Sequence, residues 1–362
     1  MKDEDEKGKT PKGVLSFFRS SGVTVAIRRI HEAVQPYGVE NYFVNCGYGG
    51  DGEDDLTWQP PGRIENLPLM SGRPATVWRA LTQLKRLLDA WNIDVIHVHH
   101  RRLSMLLTLF SPYLGRTLLY SGNLTYKFSL PFWLLSPARA VAVTQSVKEN
   151  ILSTTRTRDV TVLGNPTPFP DRSVDAVKRP QRRAVCVARF APVKGHATLI
   201  EAWKTLRDRG VDAELVLIGE GPLRQALEDQ CRALGLSDRV AFRGYTADVR
   251  SEYEAALFAV LVSAIEGQGI VTIEAAAAGR ASLLTDVDGS RDCLPPDRQL
   301  PNAVPFGDPA RLADALFSWF ADADAVVEEG KRFRAFHQKI NSSQVLGRRY
   351  ADVYQSALRP LR

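Results

Sequence analysis

The chain has 362 residues, of which 44% are hydrophobic and 24% charged, with a formal net charge of +6. That length is about twice an ordinary single domain, so two domains with a core each are expected, and the composition excludes a disordered or low-complexity protein. No basic segment leading into an apolar run opens the chain and no run of ~18 apolar residues occurs, so neither secretion nor a membrane span is expected, and a cytoplasmic protein is.

In chain order, residues 1–12 are almost wholly charged or polar, and order is expected only after them. Short β-branched or aliphatic runs at 14–18, 41–45, 94–98, 117–120, 140–143 and 160–163 predict strands. Helices are expected at 24–35 and 74–91, which makes a parallel sheet with crossover helices. On strand 94–98, alternation turns His97 inward, beneath the sheet, while His99, His100, Arg101 and Arg102 follow at its carboxyl end, where at least one is expected to bind a ligand. The stretch 127–139 (KFSLPFWLLSPAR) sets aromatic and aliphatic residues among prolines and cations. A lip touching a membrane interface reads this way and so does a core segment; core packing is the expectation. Up to Arg172 there are 21 Lys and Arg against 16 Asp and Glu, an excess that suits a solvated face, an anionic acceptor or a membrane surface.

Pro166, Pro168, Pro170 and a charged stretch ending at Arg183 read as an interdomain linker. The wound pattern then restarts with strands at 184–187, 213–218, 240–243, 258–262 and 281–284. A helix at 195–209 places Leu199, Ile200, Trp203 and Leu206 on one face. The segment 343–358 is a last helix whose stripe of Leu346, Tyr350, Val353, Tyr354 and Ala357 suits either domain. Cys46, Cys186, Cys231 and Cys293 are far apart and form no metal-ligand or redox pair, so they are expected to be reduced and buried.

The chemistry concentrates after strand 258–262, in the run SAIEGQGIVTIEAAAAG from Ser263 to Gly279. Gly267 and Gly269 let backbone approach a ligand, and a helix starting near Ile270 points free N–H groups and its positive dipole end outward, an anion site most simply filled by a diphosphate. Glu274 lies about one turn inside that helix and Glu266 on the loop before it, so both carboxylates can address one bound molecule; a carboxylate is the natural acceptor for a ribose diol or sugar hydroxyls. The second signal, VARFAPVKGH from Val187 to His196, brings Arg189 and Lys194 to the mouth of the same sheet, where they suit two phosphates and a departing nucleoside diphosphate. The turn Gly219-Glu220-Gly221-Pro222 lacks the third glycine of a dinucleotide fingerprint, which argues against a dehydrogenase.

These motifs, with Arg243-Gly244-Tyr245 between them, closely resemble the family 4 retaining glycosyltransferases, and the resemblance is densest from Arg183 to Gly289. The family pattern is a GR-x-x-x-x-KG loop, here with Ala188 for its glycine, a G-x-GP turn, an F-x-G strand end, two glutamates separated by seven residues and a T-D-x-x-G loop, here Thr285 to Gly289. The resemblance implies the α/β GT-B fold, two doubly wound Rossmann-like domains facing across a cleft. Residues 1–170 would bind the acceptor, joined by the final helix 343–362, and residues 171–342 the donor. It implies Glu266, Arg189 and Lys194 as catalytic, with Arg189 and Lys194 on the diphosphate and Glu266 on the donor sugar. Glu274 would take the ribose, the backbone of Gln268, Gly269, Ile270 and Val271 would face sugar and phosphates, and Arg243 and Tyr245 would border the base, with Gly219 also in the donor site. Gly22, in a Ser20-Ser21-Gly22 loop, would sit beside the donor sugar, and His99, His100 and Arg101 are the acceptor-side candidates. Where many members carry a histidine after the next strand, this chain has Tyr120-Ser121-Gly122-Asn123, which leaves the sugar-contacting histidine unassigned.

The expectation is therefore a metal-independent, cofactor-free transfer of a sugar, with retention, from a UDP- or GDP-linked donor to a glycan or lipid-linked acceptor hydroxyl in bacterial polysaccharide or glycan synthesis. Peripheral contact with the inner face of the plasma membrane is compatible with it, and nucleic acid is not an expected partner. The alternatives are a nucleotide-sugar-binding protein without turnover and a related sugar-nucleotide epimerase.

Overall fold

The computed structural model describes residues 13–18, 23–46, 64–167, 180–246 and 248–359. The chain divides into two compact units: unit 1 takes the chain up to Pro166 and again from Ser342, and unit 2 is the continuous stretch Thr167–Asn341. The Ser20-Ser21-Gly22 loop, Pro168, Pro170 and most of the expected linker lie outside the described residues.

Unit 1 runs β1 (Gly13–Phe18), α1 (Val23–Val34), β2 (Glu40–Asn45), β3 (Ile64–Asn66), α2 (Pro74–Ala90), β4 (Val95–Val98), α3 (Arg101–Leu109), α4 (Ser111–Leu114), β5 (Thr117–Gly122), α5 (Leu130–Leu134), β6 (Arg139–Ala142), α6 (Gln145–Thr154) and β7 (Asp159–Val162). Unit 2 runs β8 (Arg183–Val187), α7 (His196–Asp208), β9 (Glu214–Ile218), α8 (Arg224–Ala233), β10 (Val240–Arg243), α9 (Val249–Ala255), β11 (Phe258–Leu261), α10 (Ile270–Ala277), β12 (Ser282–Thr285), α11 (Asp288–Arg291), β13 (Ala303–Val304), α12 (Pro309–Ala321) and α13 (Ala323–Asn341). The chain then enters α14 (Ser343–Ala357), which belongs to unit 1. Every strand pair is parallel, in the orders β3-β2-β1-β4-β5-β6-β7 and β10-β9-β8-β11-β12-β13. Both are doubly wound: strand order reverses between β1 and β4 in unit 1 and between β8 and β11 in unit 2, which opens a crevice at the carboxyl ends of each pair.

Alternation along the strands decides what covers each face of the first sheet. Leu15, Phe17, Ile96, Val98 and Leu118 pack against Leu81 and Leu84 of α2 and Leu103 and Leu107 of α3. Tyr120, Ala140 and Ala142, on the same side, meet Phe132 of α5 and Val147 and Ile151 of α6. The residues between them, Val14, Val95, Leu119 and Val141, turn to the other side, where Ile30 and Val34 of α1 and Leu346, Tyr350 and Tyr354 of α14 cover them. His97 is fully buried on this side, with Nδ1 2.9 Å from the Tyr354 hydroxyl and Nε2 2.8 Å from Ser121 Oγ. Arg139 donates to the carbonyls of Ser356 and Arg359 at 2.6 and 2.7 Å, placing a cation on the carboxyl end of α14.

Helices α1 and α14 cross so closely that a Cβ on Gly347 would sit 2.0 Å from the Ala33 carbonyl oxygen. Gly347→Ala is expected to force the two apart and cost ~1–3 kcal/mol, read as a lowered denaturation midpoint. A variant that melts like the parent would show that the crossing has room to spare.

Two strands escape the sequence reading, β3 and β13, because three and two residues at a sheet edge carry no periodicity to read. The stretch 127–139 corrects the core expectation: Phe132 is buried, but Phe128, Leu130 and Leu134 are exposed. With one turn of helix only one side faces the sheet, and Leu130 and Leu134, four residues apart, share the outer one. The four cysteines are buried and unpaired.

Candidate active site

The reversal point of unit 2 collects the expected residues. The loop after β8 contains a 3-10 turn at Pro192–Lys194 and ends on Gly195 at φ 65, where a Cβ would lie 2.2 Å from the Val262 carbonyl oxygen just past β11. Only glycine tolerates both the left-handed conformation and that approach. The Ala264 amide donates to the Val193 carbonyl at 2.8 Å, so the loops leaving β8 and β11 are joined through their backbones. At their tips Lys194 Nζ meets Glu266 Oε1 at 2.5 Å. The two side chains assigned separately from sequence therefore form one ion pair, with the carboxylate 10% and the ammonium 25% exposed. Arg189 is exposed and makes no ion pair among the described residues.

Helix α10 begins beside this pair. Gly269 caps it with no side-chain hydrogen bond, and the amides of Thr272 and Ile273 donate to the Gly269 carbonyl, which leaves those of Ile270 and Val271 without an acceptor in the helix. Those amides and the dipole's positive end favour an anion. Glu274 is buried, and its Oε2 accepts a 3.2 Å hydrogen bond from Tyr253 of α9, a partner the sequence reading missed.

Behind the loop, Gly289 explains the T-D-x-x-G pattern: a Cβ there would lie 2.3 Å from the Glu266 carbonyl oxygen and 2.2 Å from that of Gly267. Thr285 Oγ1 donates to the Ser263 carbonyl at 2.5 Å from the same side. The turn after β9 works likewise. A Cβ on Gly219 would meet the Ala188 carbonyl oxygen at 2.1 Å, so that glycine shapes the Arg189 loop by close backbone packing. His196, the first residue of α7, is buried with neither ring nitrogen hydrogen-bonded, and its pKa is pushed down to about 4 by burial and then by the Lys194 charge. Ser263 Oγ, Thr272 Oγ1 and Ser290 Oγ, around the same mouth, are also buried without a partner. Among the described residues no group of three or more His, Cys, Asp or Glu is placed to hold a metal ion.

Residues 20–168 match the family described as Glycosyltransferase Family 4, and residues 181–322 match Glycosyl transferases group 1. The chain belongs to the family 4 glycosyltransferases. The putative glycosyltransferase EpsF of Bacillus subtilis is 35% identical over 28% of this chain and 26% of its own length. The GDP-mannose-dependent alpha-(1-6)-phosphatidylinositol monomannoside mannosyltransferase of Mycobacterium tuberculosis is 31% identical over 40% of each chain. The chain thus spans about a quarter to two fifths of the length of these relatives. Solved structures match over nearly the whole chain. Anabaena Alr3699/HepE, in complex with UDP, has a TM-score of 0.80 at 16% identity over 95% of this chain and 100% of that one. A glycosyltransferase from Rickettsia africae ESF-5 has a TM-score of 0.80 at 16% identity over 98% and 100%. At that identity the likeness is of fold, and the fold is GT-B.

Each of the other expected residues of this family 4 glycosyltransferase has surroundings of its own. Arg243 is paired with Glu252, and Tyr245 is exposed. Gln268 is half-buried beside Gly269. Gly22 lies outside the described residues. In unit 1, His100 caps α3, its ring nitrogen accepting from the Leu103 amide at 3.4 Å, and the Arg101 guanidinium lies over the rings of Tyr126 and Phe132 at 4.8 and 4.4 Å. Both side chains hold α3 in place. His99 is buried against the His97 ring, centroids 4.1 Å apart, with Nε2 unpartnered and a pKa that burial lowers to about 3, so it is neutral at physiological pH.

Proposed function

We propose that the protein transfers a sugar, with retention and without a metal ion, from a nucleoside-diphosphate donor to an acceptor hydroxyl. The observation that carries this reading is the Lys194–Glu266 pair at the reversal point of unit 2, flanked by the N-terminus of α10, with exposed Arg189 on the same loop as Lys194. The free amides and the two cations suit the diphosphate and the charge that grows on it as the sugar C1–O bond breaks, the task a divalent ion performs elsewhere. Glu274, held by Tyr253, is the acceptor for the ribose diol; Glu266 faces the sugar hydroxyls. Retention follows from the family resemblance: the acceptor oxygen attacks from the face the phosphate leaves, and a phosphate oxygen takes its proton.

The donor class is supported by UDP in the Anabaena neighbour and GDP-mannose in the name of the mycobacterial relative, so either base is open. The acceptor is proposed to be a glycan or lipid-linked glycan intermediate, bound by unit 1. A thermal-shift screen against nucleoside diphosphates and their sugars, followed by turnover with the stabilising donor in the presence of a chelator, tests the reading. Stabilisation by one such donor and transfer that survives chelation are expected. No response to any donor would overturn it, and activity abolished by the chelator and restored by a divalent ion would overturn its metal-free chemistry.

Tyr253→Phe isolates the support of Glu274. Removing the hydroxyl that donates to the carboxylate, which leaves the carboxylate itself in place, is expected to weaken nucleoside diphosphate binding by ~3–10-fold. Discrimination against the 2′-deoxyribose form should fall with it, while the melting temperature stays close to that of the parent. Unchanged discrimination would detach Tyr253 from ribose recognition.

A further inference from the structure

Among the described residues, the exposed apolar side chains of unit 1 are not spread evenly. Trp78, Leu109, Tyr113, Phe128, Leu130 and Leu134 are 41% to 60% exposed, and all lie on or beside α2–α5, the layer over one face of the sheet. Outside α2–α5, α6 has Leu152 at 37%, and the opposite layer of α1 and α14 has Val345 at 37%. The layer is tied together by its own aromatic residues. Trp78 of α2 lies 5.7 Å from the Tyr113 ring of α4, and Arg101 of α3 lies over Phe132 of α5.

Charge is uneven along the same stretch of chain. From the end of β3 to the end of α5, residues 67–134 contain 8 Lys and Arg against 2 Asp and Glu, a net +6 in a chain whose total is +6. Of the acids, Asp89 is paired with Lys85 and Arg116. Arg73, Arg79, Arg86, Arg102 and Lys127, on or beside the same helices, are exposed. An aqueous surface gains nothing from Phe128, Leu130 and Leu134 in a row, and monomeric proteins seldom expose such patches without a partner. No helix among the described residues is long and apolar enough to cross a membrane. A one-turn helix with outward Leu130 and Leu134, preceded by Lys127 and Phe128, has instead the composition of an element that lies in the interface, with apolar groups among acyl chains and cations at headgroup level.

We infer that the α2–α5 layer of unit 1 docks on an anionic lipid surface, with Phe128, Leu130 and Leu134 inserted and the surrounding Arg and Lys side chains on the headgroups. The excess of positive charge selects an anionic bilayer over a second copy of this chain, which would oppose two cationic faces. The inference is independent of the donor chemistry.

The test is flotation of the full chain with vesicles of phosphatidylcholine containing about one third phosphatidylglycerol, and with pure phosphatidylcholine. Binding at least ~10-fold stronger to the anionic vesicles, and weakened by salt, is expected. The variant Phe128→Ser with Leu130→Ser and Leu134→Ser, and the variant Arg79→Glu with Arg86→Glu and Lys127→Glu, alter exposed positions, and melting curves confirm that each is folded. Each is expected to lose at least ~10-fold in vesicle affinity. Equal binding to both vesicle types would overturn the inference, as would parent-like binding by the serine variant, which would leave a generic polyanion such as nucleic acid as the occupant. Light scattering that shows a dimer dissociated by the serine substitutions would assign the face to self-association instead.

Discussion

Glu266→Gln is expected to lower turnover by ~10-fold or more while leaving nucleoside diphosphate binding intact or tighter, the behaviour of a group whose contact counts most in the transition state. The ion pair sharpens this expectation. Lys194 Nζ sits 2.5 Å from Glu266 Oε1, so a diphosphate must compete with a carboxylate for the same ammonium. The amide introduced by the substitution still reaches the sugar hydroxyls but no longer holds Lys194 by charge. Full turnover in this variant would remove Glu266 from the donor-sugar site. Weaker nucleotide binding would show instead that the carboxylate aims Lys194 at the phosphates.

Lys194→Ala should have the largest effect on the nucleotide itself. A charge-assisted contact is worth ~1.5–3 kcal/mol, or ~10–150-fold in affinity. The loss here adds a second penalty, because Glu266 is left largely buried, unpaired and facing an anionic ligand. Arg189→Ala, with no acidic partner to orphan, should cost only the first part. The combination of Lys194→Ala with Glu266→Gln is therefore expected to bind nucleoside diphosphate more tightly than Lys194→Ala alone, by more than Glu266→Gln gains in the parent. Calorimetry on the parent, both single variants and the double variant measures it. Additivity would mean that the two side chains act independently once ligand is bound, and unchanged affinity in both Lys194→Ala and Arg189→Ala would remove them from the phosphate site.

The fold was legible because its strands are short apolar runs between amphipathic helices; Leu199, Ile200, Trp203 and Leu206, read as one helix face, are all buried. The site's residue types were legible too, since glycines, cations and carboxylates at strand-to-helix turns announce anion chemistry. Their pairings were not. Lys194 and Glu266 are 72 residues apart, Tyr253 and Glu274 are 21 apart, and His97 and Tyr354 are 257 apart, and no local period encodes such contacts. The stretch 127–139 misled for a different reason: hydrophobicity alone does not say which side of a single helical turn meets the sheet.

The return of α14 to the first sheet bears on how the chain is made. Val14, Val95, Leu119 and Val141, together with His97, emerge from the ribosome long before Leu346, Tyr350 and Tyr354, which cover them. Throughout synthesis of Thr167–Asn341, unit 1 has one sheet face incomplete, whereas unit 2, continuous in sequence, has all its strands and helices in hand as soon as Asn341 is made. The second unit is therefore free to close first, and the first unit finishes only after release of the last helix, with an apolar face for chaperones to guard in the interval.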